Sequence, residues 1–454
     1  MEEIKGRKLF LYNLSTAGWT LLDSLWLTFY VAFFLPPREK VAEGMMIFIS
    51  NERFFGVVTV LGALMIFGRI IDAIADPLVA FWSDRSRSKF GRRRFFLMIG
   101  GFPLALSTVL IFFPPIPRIS PWNGIYLAVI FGLYFFFFTI YVTPYLALIP
   151  ELGHSEKKRI EITTAQGYFS IIGSAVVMIG GPLLLTFFMK DTNPIYAYRK
   201  MVICLAFIGA FLLYTSVFSV DEKRYSNALP TNITLMQSFK NTIKSRPFVI
   251  YLIANMSLWF LFNIVRSSAI PIVITLMGAG EAFASTLFVA LFIFAAICFP
   301  IVGIVTRRLK KKKIMMAALG LFALFSFFLS LTGIVPCNPR IWGLFFVGLM
   351  GLPTAILIII PNVILSELCD VDYVKTGERR EAMYFGVQGF FMKLNLGIST
   401  ASLALFYSFF GKDISNPLGV RLTLLLASAI AIFGLIVIIR YPEKQIEKIL
   451  SKQK

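Results

Sequence analysis

Twelve apolar stretches of about 20 residues, divided by short polar connections, run through this 454-residue chain and leave it few folds to choose from. They lie roughly at 9–35, 54–83, 95–113, 124–149, 163–188, 199–220, 248–276, 283–306, 314–335, 340–366, 383–410 and 420–440. A helix of that length spans the hydrocarbon core of a bilayer, about 30 Å thick. Lipid offers no partner to an unsatisfied backbone, so only helices or closed barrels cross it, and nothing here alternates with the barrel period. With 57% hydrophobic residues, 48 Phe and a mean hydropathy of +0.78, a soluble chain of this length could not cover its apolar surface. The expected class is an all-α integral membrane protein with twelve transmembrane helices.

The longest polar connection, 221–247, follows the sixth stretch and carries DEKRYSNALP and the helix-breaking pair Arg246-Pro247. This divides the chain into an N-terminal six-helix bundle (1–220), a cytoplasmic linker (221–247) and a C-terminal six-helix bundle with a short tail (248–454), the two-bundle plan of major facilitator transporters. The basic loops SDRSRSKFGRRR and TRRLKKKK follow spans two and eight, equivalent positions in the two halves.

Charge orients the chain. The N-terminus, even-numbered loops and C-terminus hold 31 of the 44 Lys and Arg, the odd-numbered loops hold 10, and Arg69, Arg266 and Lys393 lie within spans. That bias places both termini in the cytoplasm and the protein in the plasma (inner) membrane. The net charge of +20 sits in loops rather than along one soluble face, so it points to anionic membrane lipid and not to nucleic acid. Cys204, Cys298, Cys337 and Cys369 are scattered without disulfide or zinc spacing, and the one histidine, His154, lies in a charged loop. With no nucleophile–base pair or metal cluster near the membrane surface, the chain is not expected to be an enzyme. A receptor that binds without transporting would need an output domain, and the longest loop has about 27 residues. The apolar run after MEEIKGRK is too long for a signal-peptide core and lacks a small-residue cleavage site, so it reads as the first span.

Ionisable residues inside spans are costly and mark ion or substrate pathways. Span two contains GRIIDAIADPLVAFW, with Arg69, Asp72 and Asp76 at i, i+3 and i+7 on one helix face. Two carboxylates one turn apart and away from water make a hard oxygen site for Na⁺, Li⁺ or a shared proton. Pro77 cannot donate to the Ala73 carbonyl, which becomes a further candidate ligand. Thr20 and Asp23 lie in GWTLLDSLW of span one beside Trp19, and Thr139, Tyr141 and Thr143 in span four. Hydroxyls in helices more often bond their own carbonyls. Lys393 in span eleven follows Tyr384 and Gln388 and needs a carboxylate or a pathway; Arg266 in span seven faces either an anionic substrate group or an outer-half acid. Asp84, Arg85 and Arg92 after span two are candidates for a cytoplasmic gate.

The pattern R-x-x-D-A-x-x-D-P followed by SDRSRSKFGRRR, with PYLALIPEL at 144–152 and SELCDVDYVKTGERREAMYFGVQGFFMK at 366–393, resembles the glycoside–pentoside–hexuronide:cation symporter family, the melibiose-permease-like branch of the major facilitators. The resemblance covers both halves of the chain. It implies a cation-coupled symporter in which Asp72 and Asp76, with Thr139, hold the coupling cation, Na⁺ or H⁺, and Lys393 is linked to that site. No other metal or cofactor is implied, and the carrier is expected to work as a monomer on a small solute. Thr20 falls near a position where melibiose carriers have another acid, with Asp23 a turn further on. Those carriers also place an Asp where this chain has Val142, and an arginine where it has Gln166 or Gly167. Two of the strongest hydroxyl-binding groups of a sugar site are thus replaced. By resemblance the substrate is a sugar or glycoside; the alternative is a lysolipid or other amphipath, as in the more distantly related sodium-coupled lysophosphatidylcholine transporters.

Overall fold

The computed structural model describes residues 3–34, 45–49, 53–54, 58–190, 192–225, 235–280, 283–306, 308–378, 380–411 and 414–451. The middle of the expected linker, 226–234, lies outside them. A helix occupies each expected span: α1 (Gly6–Phe34), α2 (Val60–Arg85), α3 (Arg94–Leu110), α4 (Pro121–Ala147), α5 (Glu156–Ala175), α6 (Pro194–Ser219), α7 (Arg246–Ser267), α8 (Phe283–Val305), α9 (Lys311–Ser330), α10 (Gly351–Thr376), α11 (Glu381–Phe410) and α12 (Leu418–Ile438). A short amphipathic helix, α13 (Glu443–Ser451), follows them. α5 continues through a π-helical turn, Val176–Gly180, into Gly181–Met189, and Pro339–Leu349 leads into α10. Among the described residues nine helices, α4 to α12 with these continuations, are long and apolar enough to cross a membrane. α3 is a shorter apolar helix, and α1 and α2 have 29 and 26 residues.

Two spans depart from the expected bounds for local reasons. The second was expected from residue 54. Instead β1 (Arg53–Phe54) pairs antiparallel with β2 (Val58–Thr59), Arg53 opposite Thr59, and the helix starts at Val60. The β-branched pair Val58-Thr59 favours extended backbone over helix at this end. The seventh was expected to run to 276, but α7 stops at Ser267, and Ala269–Pro271 and a π-helical turn, Ile272–Leu276, complete it. Pro271 has no N–H for the Ser267 carbonyl, so the ladder cannot pass through unbroken.

The chain forms two compact units: Met1–His154 with Tyr168–Leu235 and Glu381–Gly386, and Ser155–Gly167 with Met236–Arg380 and Val387–Lys454. Relative to the sequence halves, the start of α5 counts with the second unit and the first turns of α11 with the first. Within the first unit α1 packs on α6, α2 on α4, and α3 on both α4 and α6. Within the second, α7 packs on α12, α8 on α10, and α9 on both α10 and α12. Each pairing recurs six helices later, so the internal repeat hinted at by the two basic loops is a repeat of packing.

Small residues set the closest approaches. A Cβ on Gly18 would stand 2.9 Å from the Leu213 backbone nitrogen, and one on Gly434 would stand 2.5 Å from the Ser257 Cβ. These are the α1–α6 and α7–α12 contacts, where glycine lets backbones meet. Beside α2, the Trp26 ring meets Tyr30, Phe131, Tyr134 and Phe135 edge-on and ties α1 to α4. On α6, Phe207, Phe211 and Phe218 share one face and are exposed, as side chains that meet lipid tails should be.

Candidate functional site

α2 and α4 pack side by side with their polar residues in register. Asp72 and Asp76 are four residues apart on α2, and Thr139 and Thr143 are four apart on α4, so each helix offers two polar rungs one turn apart. Thr139 donates from Oγ1 to Asp72 Oδ1 at 3.0 Å, and Thr143 donates to Asp76 Oδ1 at 3.2 Å. All four residues are buried. Pro77 follows Asp76 and Pro144 follows Thr143, both inside helices. Each proline removes one ladder donor, from the Ala73 and the Ile140 carbonyl respectively. Arg69 reaches forward one turn, Nη1 to Asp72 Oδ2, at 3.4 Å. The site therefore offers carboxylate and hydroxyl oxygen, a donor set that suits a small hard cation or a carboxyl proton.

The remaining span-one candidates turn elsewhere. Thr20 donates to the Thr16 carbonyl at 2.7 Å, the intrahelical outcome common for threonine. Asp23 accepts from Trp26 Nε1 at 3.3 Å and from the Tyr134 hydroxyl at 3.1 Å, which ties it to α4. Trp19 sits half-buried, edge-on to Phe138. Tyr141 leaves the Thr139–Thr143 face and donates to the Leu213 carbonyl at 2.6 Å.

Gln388, Lys393, Arg266 and Gln166 belong to the second unit. The Tyr251 hydroxyl lies within hydrogen-bond reach of Gln388 Oε1 and of the Pro361 carbonyl, and the Asn255 amide approaches it from one turn on. Lys393 is half-buried on α11, and Gln166 is buried on α5. Arg266 is exposed at an apolar cavity lined by Phe262, Val265, Ile272, Leu291 and Phe322. Tyr384, buried in the first turns of α11, counts with the first unit.

At the end of α2 the structure assembles a denser cluster, all of it within the first unit. Arg92 and Arg93 are buried in the loop. Arg92 Nη2 meets Glu151 at 2.5 Å and Glu381 at 3.1 Å. Arg93 meets Glu381 at 2.8 Å, Glu151 at 2.9 Å and Asp84 at 3.2 Å, and donates to the Ala147 carbonyl. Asp84 also accepts from the backbone N–H groups of Ala382 and Met383, at 3.2 and 3.0 Å. A carboxylate from α2 thus caps the N-terminus of α11, where free N–H groups and the helix dipole favour negative charge. Glu222 accepts from the Arg93 and Arg94 amides at 2.8 and 3.1 Å. Gly91 (φ +112°) makes this fit possible, since a Cβ there would lie 2.7 Å from Glu222 Oε2.

The electrostatics follow from burial. Desolvation pushes the Glu222 carboxyl above its ordinary value and the charge of Glu151 adds to this, with Arg93 opposing. Burial works against both Arg92 and Arg93, and the charge of Arg93 works against Arg92 as well, yet Glu151, Glu381 and Asp84 outweigh this and hold both guanidinium groups above the usual arginine value. Of the three expected gate residues, Asp84 and Arg92 lie in this cluster, while Arg85 is exposed over the Phe81 ring at 5.0 Å. Arg93, Glu151, Glu222 and Glu381 were not singled out from sequence. Glu151 and Glu381 do fall inside PYLALIPEL and GERREAMY, so quoted motifs carried the signal without the pairing.

The second unit holds a lighter counterpart. Lys311 meets Glu156 at 2.8 Å and Glu367 at 3.0 Å, and Arg159 meets Asp370 at 2.5 Å. Here too a cation from a basic segment joins an acid on one span, Glu367 of α10, and an acid in the first turn of another, Glu156 of α5.

Comparison with known proteins agrees with this architecture. The family model described as MFS/sugar transport protein matches residues 25–442. The inner membrane symporter YicJ of Escherichia coli is 24% identical over 409 residues, 84% of each chain. The isoprimeverose transporter of Lactiplantibacillus pentosus is 21% identical over 373 residues, 81% of this chain and 76% of that one. Among solved structures, the Escherichia coli fucose:proton symporter FucP superimposes with a TM-score of 0.62 at 14% identity, over 94% of this chain and 97% of that one.

Proposed function

The chain belongs to the MFS/sugar transport protein family, and on that premise we propose that it is a cation-coupled symporter of a sugar or glycoside, working by alternating access. The observation that carries this reading is the pair of buried acid–threonine rungs, Asp72–Thr139 and Asp76–Thr143. Two carboxylates held out of water are costly when charged. A Na⁺ ion or a proton at these oxygens offsets that cost, so the loaded site is the one that can be enclosed. Coupling then follows, because the ion and the solute stabilise the same closed state by binding it better than the open one. The names of two relatives support the reading: a symporter for the coupling and an isoprimeverose transporter for the class of solute.

The cluster around Arg92 and Arg93 serves as the cytoplasmic latch. Glu381 and the Asp84 cap hold the first turn of α11 in place, and release of both frees that turn. Lys393, five residues after Gln388 on the same helix, then transmits the movement of α11.

The test is uptake into proteoliposomes under an imposed Na⁺ gradient or pH gradient, with a panel of labelled glycosides and a lysolipid. Accumulation above equilibrium with one cation is expected for a glycoside. Asp72→Asn and Asp76→Asn each reduce it to the level of empty vesicles while the protein stays monodisperse. Undiminished accumulation in either variant would contradict the assignment.

A further inference from the structure

A symporter that releases its cation must return empty, and this chain would then carry Asp72 and Asp76 buried and charged beside neutral threonine hydroxyls. We propose that Arg69 is a tethered stand-in for the coupling cation, whose guanidinium answers Asp72 in the cation-free protein and so permits the empty carrier to reorient. The inference rests on the reading of Asp72 and Asp76 as the cation site.

Three features of Arg69 fit this role. It is placed one turn before Asp72, and the charge of a guanidinium is permanent, so no proton is needed to make the stand-in. Its grip is light: a single nitrogen at 3.4 Å, from a side chain 35% exposed to an acid 1% exposed. A fixed structural pair would be expected to be short or bidentate, as Arg380 is with Asp372 at 2.6 and 3.0 Å.

The second resting place is built in. The Arg69 guanidinium lies over the Phe135 ring, 4.9 Å from its centre. That ring occupies space which exists only because residue 68 is glycine, since a Cβ there would stand 2.4 Å from Phe135 Cε2. A guanidinium displaced from Asp72 keeps the ring as a partner, which lowers the cost of giving way. Thr139 meanwhile holds the other Asp72 oxygen, so the carboxylate stays aimed while its partner changes.

This separates two activities in Arg69→Gln. Net uptake needs the empty carrier to return, whereas counterflow with cation and substrate on both sides does not. Net uptake is expected to fall about tenfold or more, and counterflow far less, while the cation concentration for half-maximal counterflow drops severalfold because a competitor has gone. Arg69→Lys keeps the charge and restores much of the net uptake. Phe135→Leu keeps the arginine but removes its second resting place, so its half-maximal cation concentration rises severalfold. Parallel loss of net uptake and counterflow in Arg69→Gln, together with an unchanged cation requirement in Phe135→Leu, overturns the proposal. So does wild-type net uptake in Arg69→Gln. Absence of any cation dependence in the wild type would instead sink the underlying reading.

Discussion

α2 carries its acids into two settings, and the contrast lies in what answers them. Asp72 and Asp76 meet threonine hydroxyls and one lightly held, half-exposed arginine. Asp84, two turns further on, meets a fully buried Arg93 and two backbone N–H groups, in a cluster where Glu151 and Glu381 are shared between two guanidinium groups. Neutral hydroxyls orient a carboxylate without cancelling its charge, and the first setting is the one where we propose the cation is held. Buried guanidinium groups cancel it, so the second is closed on itself, as the latch we propose there requires. The same residue type on one helix does different work because of partner charge.

That contrast breaks most visibly at Arg93. Arg93→Ala strips three buried carboxylates of a shared cation and is expected to cost roughly 3–5 kcal/mol of stability, seen as a large drop in melting temperature. A melting temperature close to wild type would show that the cluster is not closed on its own charges. Thr139→Val and Thr143→Val sharpen the other side. Each leaves the fold intact but raises the half-maximal cation concentration about tenfold, equivalent to about 1.4 kcal/mol, in a transport titration. A silent Thr143→Val would reduce the site to its first rung.

The smallest expected effect is in pH. The folded protein holds the Glu222 proton more tightly than the unfolded chain, so this group's contribution makes stability decline as pH rises from the ordinary carboxylate range through the raised folded value. Glu222→Gln removes that part of the slope in melting curves collected across pH. A slope of opposite sign at Glu222 would mean that its two amide hydrogen bonds outweigh burial.

The membrane class and twelve helices were legible from sequence because bilayer thickness dictates the length of an apolar run. Asp72 and Asp76 were legible because charge inside such a run is rare and the helical period places them on one face. Their threonines stood out less, since most helical hydroxyls bond their own carbonyls, as Thr20 does. The cluster around Arg92 and Arg93 was only partly legible. Six cations follow one another between 85 and 94, and nothing local separates the exposed Arg85 from the buried Arg93. Arg92 finds its acids 59 and 289 residues away, where pairing depends on how the helices pack. The break at Pro271 could have been read from the residue itself, yet hydropathy alone carried the span through it.

The central claim is that a small cation neutralises Asp72 and Asp76, and its most direct test is the melting temperature of the purified protein. It would be titrated with Na⁺ and Li⁺ at fixed pH, and with pH in their absence. The wild type should be stabilised along one of these axes, and Asp72→Asn and Asp76→Asn should flatten that response. A double variant that keeps the full wild-type response would place the cation elsewhere and contradict the account.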